Sequence, residues 1–170
     1  WVRDFCDRRA ITLHEVEADK LVEACETFKP NIAFAETPSN PWLKTVDIAV
    51  LAQATKAVGA ICAIDATAAT PVLSQPLDLG ADVVMHSATK GINGHSDVLA
   101  GLLCIKNADT PLWDAIKADR KMAGAVLGPF EAWLLVRGMR TLPLRMERMS
   151  ENALKIAAWL KAHDDVEDVF

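Results

Sequence analysis

ICAIDATAATPVLSQPLDLGADVVMHSATKGINGHSDVLAG, residues 61–101, contains two short apolar runs that each end in a polar cluster. The first, AICAID from Ala60, stops at Asp65, and the second, DVVMHS from Asp82, leads into Ser87, Ala88, Thr89 and Lys90. Apolar runs of this length followed at once by small polar residues have the character of buried parallel strands at their carboxyl ends. Ligands of open α/β sheets bind beyond those ends. Asp65 and Lys90 are therefore expected to face one crevice.

A carboxylate and an amine in one crevice, with hydroxyls beside the amine, suit pyridoxal phosphate (PLP). That cofactor needs a lysine for a Schiff base and an acid to keep its pyridine nitrogen protonated. Burial or a cationic neighbour makes a lysine a better nucleophile towards an aldehyde, so both groups are expected to be buried. Ser87 and Thr89 are placed to donate hydroxyl hydrogen bonds to the phosphate.

Outward from this stretch, NIAFAE at 31–36 reads as a strand and TPSNP as the loop at its carboxyl end, which sets Asn40 on the same sheet edge. Residues 46–58 carry a broad apolar stripe that ends at Gly59, so strand, helix and strand form a βαβ unit. Upstream, 19–26 is helix-friendly until Lys29, Pro30 and Asn31 stop it. TPVLSQPLDLGA, from Thr70, leaves room for a loop with one helical turn. VLAGLLCIK at 98–106 is a strand reached by a tight loop, hence antiparallel to its neighbour. A helix is expected from Pro111 to about Ala118. Pro129 opens a buried helix and Pro143 a long amphipathic one. Arg137, Arg140, Arg145 and Arg148 read as a solvated face paired with Glu147 and Glu151.

Composition narrows the function. At 170 residues with 51% apolar content the chain can bury a domain-sized core. A net charge of −5 gives no broad cationic surface, so nucleic acid is not an expected partner. There is no membrane-length apolar run and no signal-peptide pattern, and a soluble cytoplasmic protein is expected, with no membrane partner. Cys6, Cys25, Cys62 and Cys104 are widely spaced and read as reduced thiols, Cys62 and Cys104 in the core. His86, His95 and Asp97 lack a third ligand at a recognisable spacing, so no metal is expected and they read as hydrogen-bonding groups of the lysine loop. His14 has no companion and reads as a surface residue. The opening WVRDFC lacks an initiator Met and has the character of a cut chain.

Four segments, AETPSNP at 35–41, IDATAATP at 64–71, QPLDLGADVVMHSATKGINGHSDVLAG at 75–101 and GPFEAWLLVRGMRTLPLRMERMSENA at 128–153, resemble one family in order and spacing. It is the Cys/Met-metabolism PLP-dependent enzymes, which include cystathionine γ-synthases, cystathionine γ- and β-lyases, methionine γ-lyases and homoserine-ester sulfhydrylases. The resemblance extends over nearly the whole chain but covers only the middle of the family's length. It implies an α/β, PLP-dependent transferase fold of the aspartate aminotransferase-like fold type I, a mostly parallel sheet flanked by helices and incomplete in this chain. Residues 1–140 would be the second part of the large PLP-binding domain, and 141–170 the linking helix and the start of a small carboxyl-terminal domain, with DVEDVF at 165–170 as its first strand.

The resemblance also assigns roles. Lys90 becomes the catalytic Schiff-base lysine, and Asp65, Ser87, Thr89, Lys90, Asn40 and Thr67 become cofactor-binding residues, Asn40 towards the ring hydroxyl. It implies a small amino-acid substrate and a homo-oligomer, a tetramer built as a dimer of dimers. The implied reaction forms or breaks a carbon–sulfur bond at Cγ of a homoserine ester or cystathionine; the alternatives are a cystathionine β-lyase or methionine γ-lyase type of reaction, or a catalytically incomplete structural fragment. Two positions depart from the family pattern: Ala66 stands where Asn is usual, and Gly91 where Tyr is usual. The family's phosphate turn, stacking aromatic and inter-subunit Tyr and Arg lie upstream of these segments, and its carboxylate-binding Arg downstream. The 170 residues alone are accordingly expected to be inactive.

Overall fold

The computed structural model describes residues 1–169. A four-stranded sheet has the order β1 (Ile32–Glu36), β2 (Ile61–Asp65), β3 (Val83–Ser87), β4 (Gly101–Ile105). The first three are parallel and β4 runs antiparallel to β3. The helices are α1 (Val2–Asp7), α2 (Leu21–Phe28), α3 (Ile48–Ala57), α4 (Thr70–Leu73), α5 (Pro111–Ala123), α6 (Pro129–Met139) and α7 (Leu142–Lys161).

The α3 crossover shows how sequence makes the layer. Asp47 caps it by accepting from the Val50 N–H at 3.0 Å. Ile48, Leu51, Ala52 and Thr55 recur at helical spacing and are the buried residues of the helix. After Val58 the chain turns at Gly59, whose φ of 73° costs least without a Cβ. The buried face packs with Cys25 of α2 and with Ala33, Cys62, Ile64 and Val84 of the sheet in one core cluster. Alternation decides what each strand shows: in β1, Ala33 and Ala35 are buried while Ile32 and Phe34 stay exposed. Asp82 accepts from the Cys62 N–H at 2.8 Å and so fixes where β3 begins beside β2. A second cluster, Ala88, Ile92, Leu135, Leu142 and Met146, lies where the lysine loop meets α6 and α7.

Several expectations are corrected. Cys104 is exposed, because β4 is an edge strand with little laid over it. Helix α5 runs past Ala118 to Ala123 and stops at Gly124, which takes the left-handed cap conformation. Asp165–Val169 form no strand; no described strand lies alongside to share a ladder, and the Val166 N–H turns back to the His163 carbonyl at 3.0 Å. Phe170, the last residue of that expected strand, is outside the described residues. Among the described residues no helix is long and apolar enough to cross a membrane.

Leu51 is wholly buried, whereas Val50, next to it on α3, is 46% exposed. Leu51→Ala in the full-length protein should therefore cost about 2–5 kcal/mol in urea denaturation, and Val50→Ala less than about 0.5 kcal/mol. Equal losses would contradict this orientation of the helix.

Candidate active site

The parallel register that pairs Asp65 with Met85 brings the carboxyl ends of β2 and β3 side by side. Ladder-like bonds continue past both: Ala66 N–H donates to the Met85 carbonyl at 3.0 Å, and Thr37 N–H to the Asp65 carbonyl at 3.0 Å. Thr67 then joins the two ends. Its N–H and hydroxyl both donate to Oδ1 of Asp65, at 2.9 and 2.6 Å. Its Oγ1 accepts from the Ser87 N–H at 2.7 Å. One carboxylate oxygen is thus held by two donors, while Oδ2 makes no hydrogen bond among the described residues.

Lys90 follows Ser87 in a loop of tight turns, in which Lys90 N–H donates to the Ser87 carbonyl at 3.0 Å, Asn93 N–H to Ala88 at 2.9 Å and Gly94 N–H to Lys90 at 2.8 Å. Its side chain forms no ion pair among the described residues and lines an open cleft with Asp97, Leu99, Leu144 and Arg148. Contrary to the expected buried pair, Lys90 is exposed and Asp65 half-buried, because the described elements build only one wall of the crevice.

The two hydroxyls before Lys90 have different positions. Thr89 Oγ1 accepts from the Ala100 N–H at 2.9 Å and points its own hydrogen at the Ala100 carbonyl at 3.2 Å, tying the loop to the approach of β4. The Ser87 hydroxyl has no hydrogen bond among the described residues. Asn40 is exposed in the loop after β1, and its side chain likewise makes none. That loop is closed by Ser39 N–H to the Lys44 carbonyl at 2.9 Å and by Val46 N–H to Thr37 Oγ1 at 3.0 Å. Asn40 shares the sheet edge with Asp65 without being bonded to it.

His95 Nδ1 lies 2.7 Å from the Asn93 carbonyl, and Asp97 accepts from Asn93 Nδ2 at 2.8 Å, so both serve the loop. His86 does not: it is buried in β3 and its Nδ1 lacks a partner. Burial holds its pKa below the ordinary 6.5, against smaller opposing effects of the Ala66 backbone and the Asp65 carboxylate. Of the two departures from the family pattern, Ala66 is sealed in the first core cluster. A Cβ on Gly91 would sit 3.0 Å from Thr70 Cγ2 and 3.7 Å from Met146 Sδ.

Sequence reasoning missed Arg145. Far from a solvated ion pair, its guanidinium donates to the carbonyls of Gly91 at 2.6 Å, Ile92 at 3.2 Å and Gly138 at 3.0 Å, and to Thr141 Oγ1 at 3.0 Å. Among the described residues, its neighbour Arg148 is the one of the four arginines that makes the expected kind of pair, with Glu151 at 3.8 Å. No local pattern signals a partner more than fifty residues away.

A carboxyl group with one oxygen unbonded, an unpaired amine and an unbonded hydroxyl, all among the described residues at adjoining strand ends, form a set that fits PLP. The sequence model of the family described as Cys/Met metabolism PLP-dependent enzyme matches residues 1–170. The chain belongs to this family. Cystathionine gamma-synthase of Haemophilus influenzae is 49% identical over 148 residues, 87% of this chain and 40% of that protein. Cystathionine beta-lyase of Coxiella burnetii is 42% identical over 154 residues, 91% of this chain and 39% of that protein. A solved cystathionine gamma-lyase from Micromonospora echinospora superposes with a TM-score of 0.90 at 36% identity, over 96% of this chain and 43% of that one. The chain spans about two fifths of the length of the curated relatives it matches. Its helix-flanked, mostly parallel sheet is that of the family's PLP-dependent fold type I enzymes.

Thr67→Val should leave the Ser87 N–H and Asp65 short of partners and cost about 1–3 kcal/mol in denaturant unfolding, while Thr67→Ser should recover most of it. Equal stability of the valine variant and the wild type would contradict the bridge. His86 adds a pH dependence. Because its folded pKa is depressed, the unfolded chain takes the proton first, and stability is lost as pH falls below about 6.5 towards the folded value. Unfolding midpoints measured from pH 8 to pH 5 should fall more steeply for wild type than for His86→Gln; parallel curves would contradict the assignment.

Proposed function

We propose that the full-length protein forms or breaks a carbon–sulfur bond at Cγ of a homoserine ester or cystathionine, as a PLP-dependent enzyme of the γ-synthase, γ-lyase or sulfhydrylase type. The observation that carries this is the Thr67 bridge: it fixes Asp65 with one oxygen free, on the sheet edge from which Lys90 projects. When bound, PLP supplies an electron sink for charge developing at the substrate's α carbon.

The residues divide the work. Asp65 would face the cofactor's ring nitrogen and keep it protonated, and the two Thr67 donors on Oδ1 would keep the carboxylate from swinging away. Lys90 would hold the cofactor through its amine, and the same amine would be the base that takes a proton from the substrate's Cα and returns it further along the side chain. Ser87 would offer its hydroxyl to the phosphate. Thr89, bonded to Ala100, holds the lysine's loop in place beside that phosphate. Asn40 would approach the ring hydroxyl from the neighbouring loop. The presence of both Asp65 and Lys90 speaks against a non-catalytic homologue.

A cystathionine β-lyase type of reaction is the second reading, supported by the Coxiella relative at 42% identity. The proposed substrate is a small amino acid. The protein is proposed to be cytoplasmic and to assemble as a dimer of dimers, which exposed Phe130, Trp133 and Trp159 on α6 and α7 support. The proposed domain division at 140 and 141 falls in the turn between these helices.

The full-length protein, incubated with PLP and either cystathionine or an O-acylhomoserine plus cysteine or sulfide, should release a four-carbon keto acid from cystathionine, or cystathionine or homocysteine from the ester. Lys90→Ala should lower turnover about 10²–10⁴-fold. Pyruvate with homocysteine would select the β reading. No turnover of any of these substrates, or full turnover by Lys90→Ala, would overturn the proposal.

A further inference from the structure

The loop that carries Lys90 contains two glycines, Gly91 and Gly94, and its reactive side chain is exposed. Such a segment needs an external brace if its amine is to keep one position. Thr89 supplies one on the strand side through Ala100. Beyond Lys90 the brace comes from Arg145, in the first turn of α7.

Its planar guanidinium offers five N–H donors in a fixed fork, and four acceptors converge on it. Gly91 and Ile92, the two residues immediately after Lys90, present their carbonyls at 2.6 and 3.2 Å. Gly138 and Thr141, at the α6–α7 corner, take the remaining bonds at 3.0 Å each. Two glycines make the approach possible. A Cβ on Gly94, whose φ is 73°, would collide with the Arg145 guanidinium, and a Cβ on Gly138 with the Asn93 carbonyl. Below the polar contacts, Ile92 packs with Leu135, Leu142 and Met146. The corner thus grips the four residues that follow Lys90 by carbonyl, side chain and close backbone contact at once.

We propose that Arg145 is a positioning residue for Lys90: its guanidinium, bonded to the carbonyls of Gly91 and Ile92, fixes the lysine-bearing loop against the α6–α7 corner. This rests on Lys90 being the reactive amine of the site. Lysine at 145 is a poor substitute, since an ammonium gathers its donors at one point and cannot span acceptors on both the loop and the corner.

Two measurements on the full-length protein test it. Without cofactor, amide hydrogen exchange at Asn93 and Gly94, whose N–H groups close the loop's turns, should quicken at least about tenfold in Arg145→Ala while β2 and β3 amides keep wild-type protection. Arg145→Lys should lie between. With PLP bound, Arg145→Ala should lower kcat about 10–100-fold with KM nearly unchanged, since a small displacement of the amine costs rate rather than binding, and Arg145→Lys should restore part of it. Unchanged exchange at Asn93 and Gly94, protection lost evenly across the sheet, or kcat at the wild-type value would each overturn the proposal. Should Arg145→Ala fail to fold, Arg145→Lys carries both measurements, with a smaller loss of the same pattern expected and wild-type exchange and kcat overturning. A wild-type protein without turnover would count against the functional reading, whereas the exchange experiment decides the clamp by itself.

Discussion

One hydroxyl group, that of Thr67, joins the two strand ends on which the site depends. It donates to Asp65 and accepts from the Ser87 backbone, so the carboxylate and the segment leading to the lysine share a single hydrogen-bonded bridge. A hydrogen bond to a charged acceptor is worth about 1.5–3 kcal/mol. The larger effect is geometric: without the parallel register of β2 on β3 the bridge has nothing to span, and without the bridge Asp65 is held by the Thr67 N–H alone.

Everything around that bridge serves to keep the register. The apolar faces of α2 and α3 cover one side of the sheet, and Asp82 ties the entry of β3 to β2 by accepting from Cys62. The second core cluster does a different job, seating the loop after Lys90 on the corner of α6 and α7. The Lys90 amine therefore projects from a segment fixed at both ends, by Thr89 to the approach of β4 and by Arg145 to the helical corner. The amine stays accessible although the backbone that carries it is held.

The parts legible in the sequence were those encoded by short-range pattern. AICAID and DVVMHS announce strands because apolar residues run without interruption, and the polar residues at their ends announce a site edge. The antiparallel β4 followed from the shortness of the loop before it. Resemblance then named Thr67 without giving its mechanism. What stayed hidden depends on partners distant in the chain. Arg145 sits among residues that do form a solvated helical face, and only the fold brings Gly91 to it. Cys104 lies in an apolar run and is exposed, since edge position belongs to the sheet and not to the strand. Asp165–Val169, which the resemblance implied as a strand, have no described neighbour to pair with and form none.

The central claim is that Lys90 is the amine that holds the cofactor. Borohydride reduction of the full-length protein saturated with PLP, followed by peptide mapping, tests it most directly. A pyridoxyl mass on the peptide containing Lys90, and on no other lysine, is the predicted result. A folded protein in which Lys90 stays unmodified, or in which another lysine carries the adduct, would contradict the account.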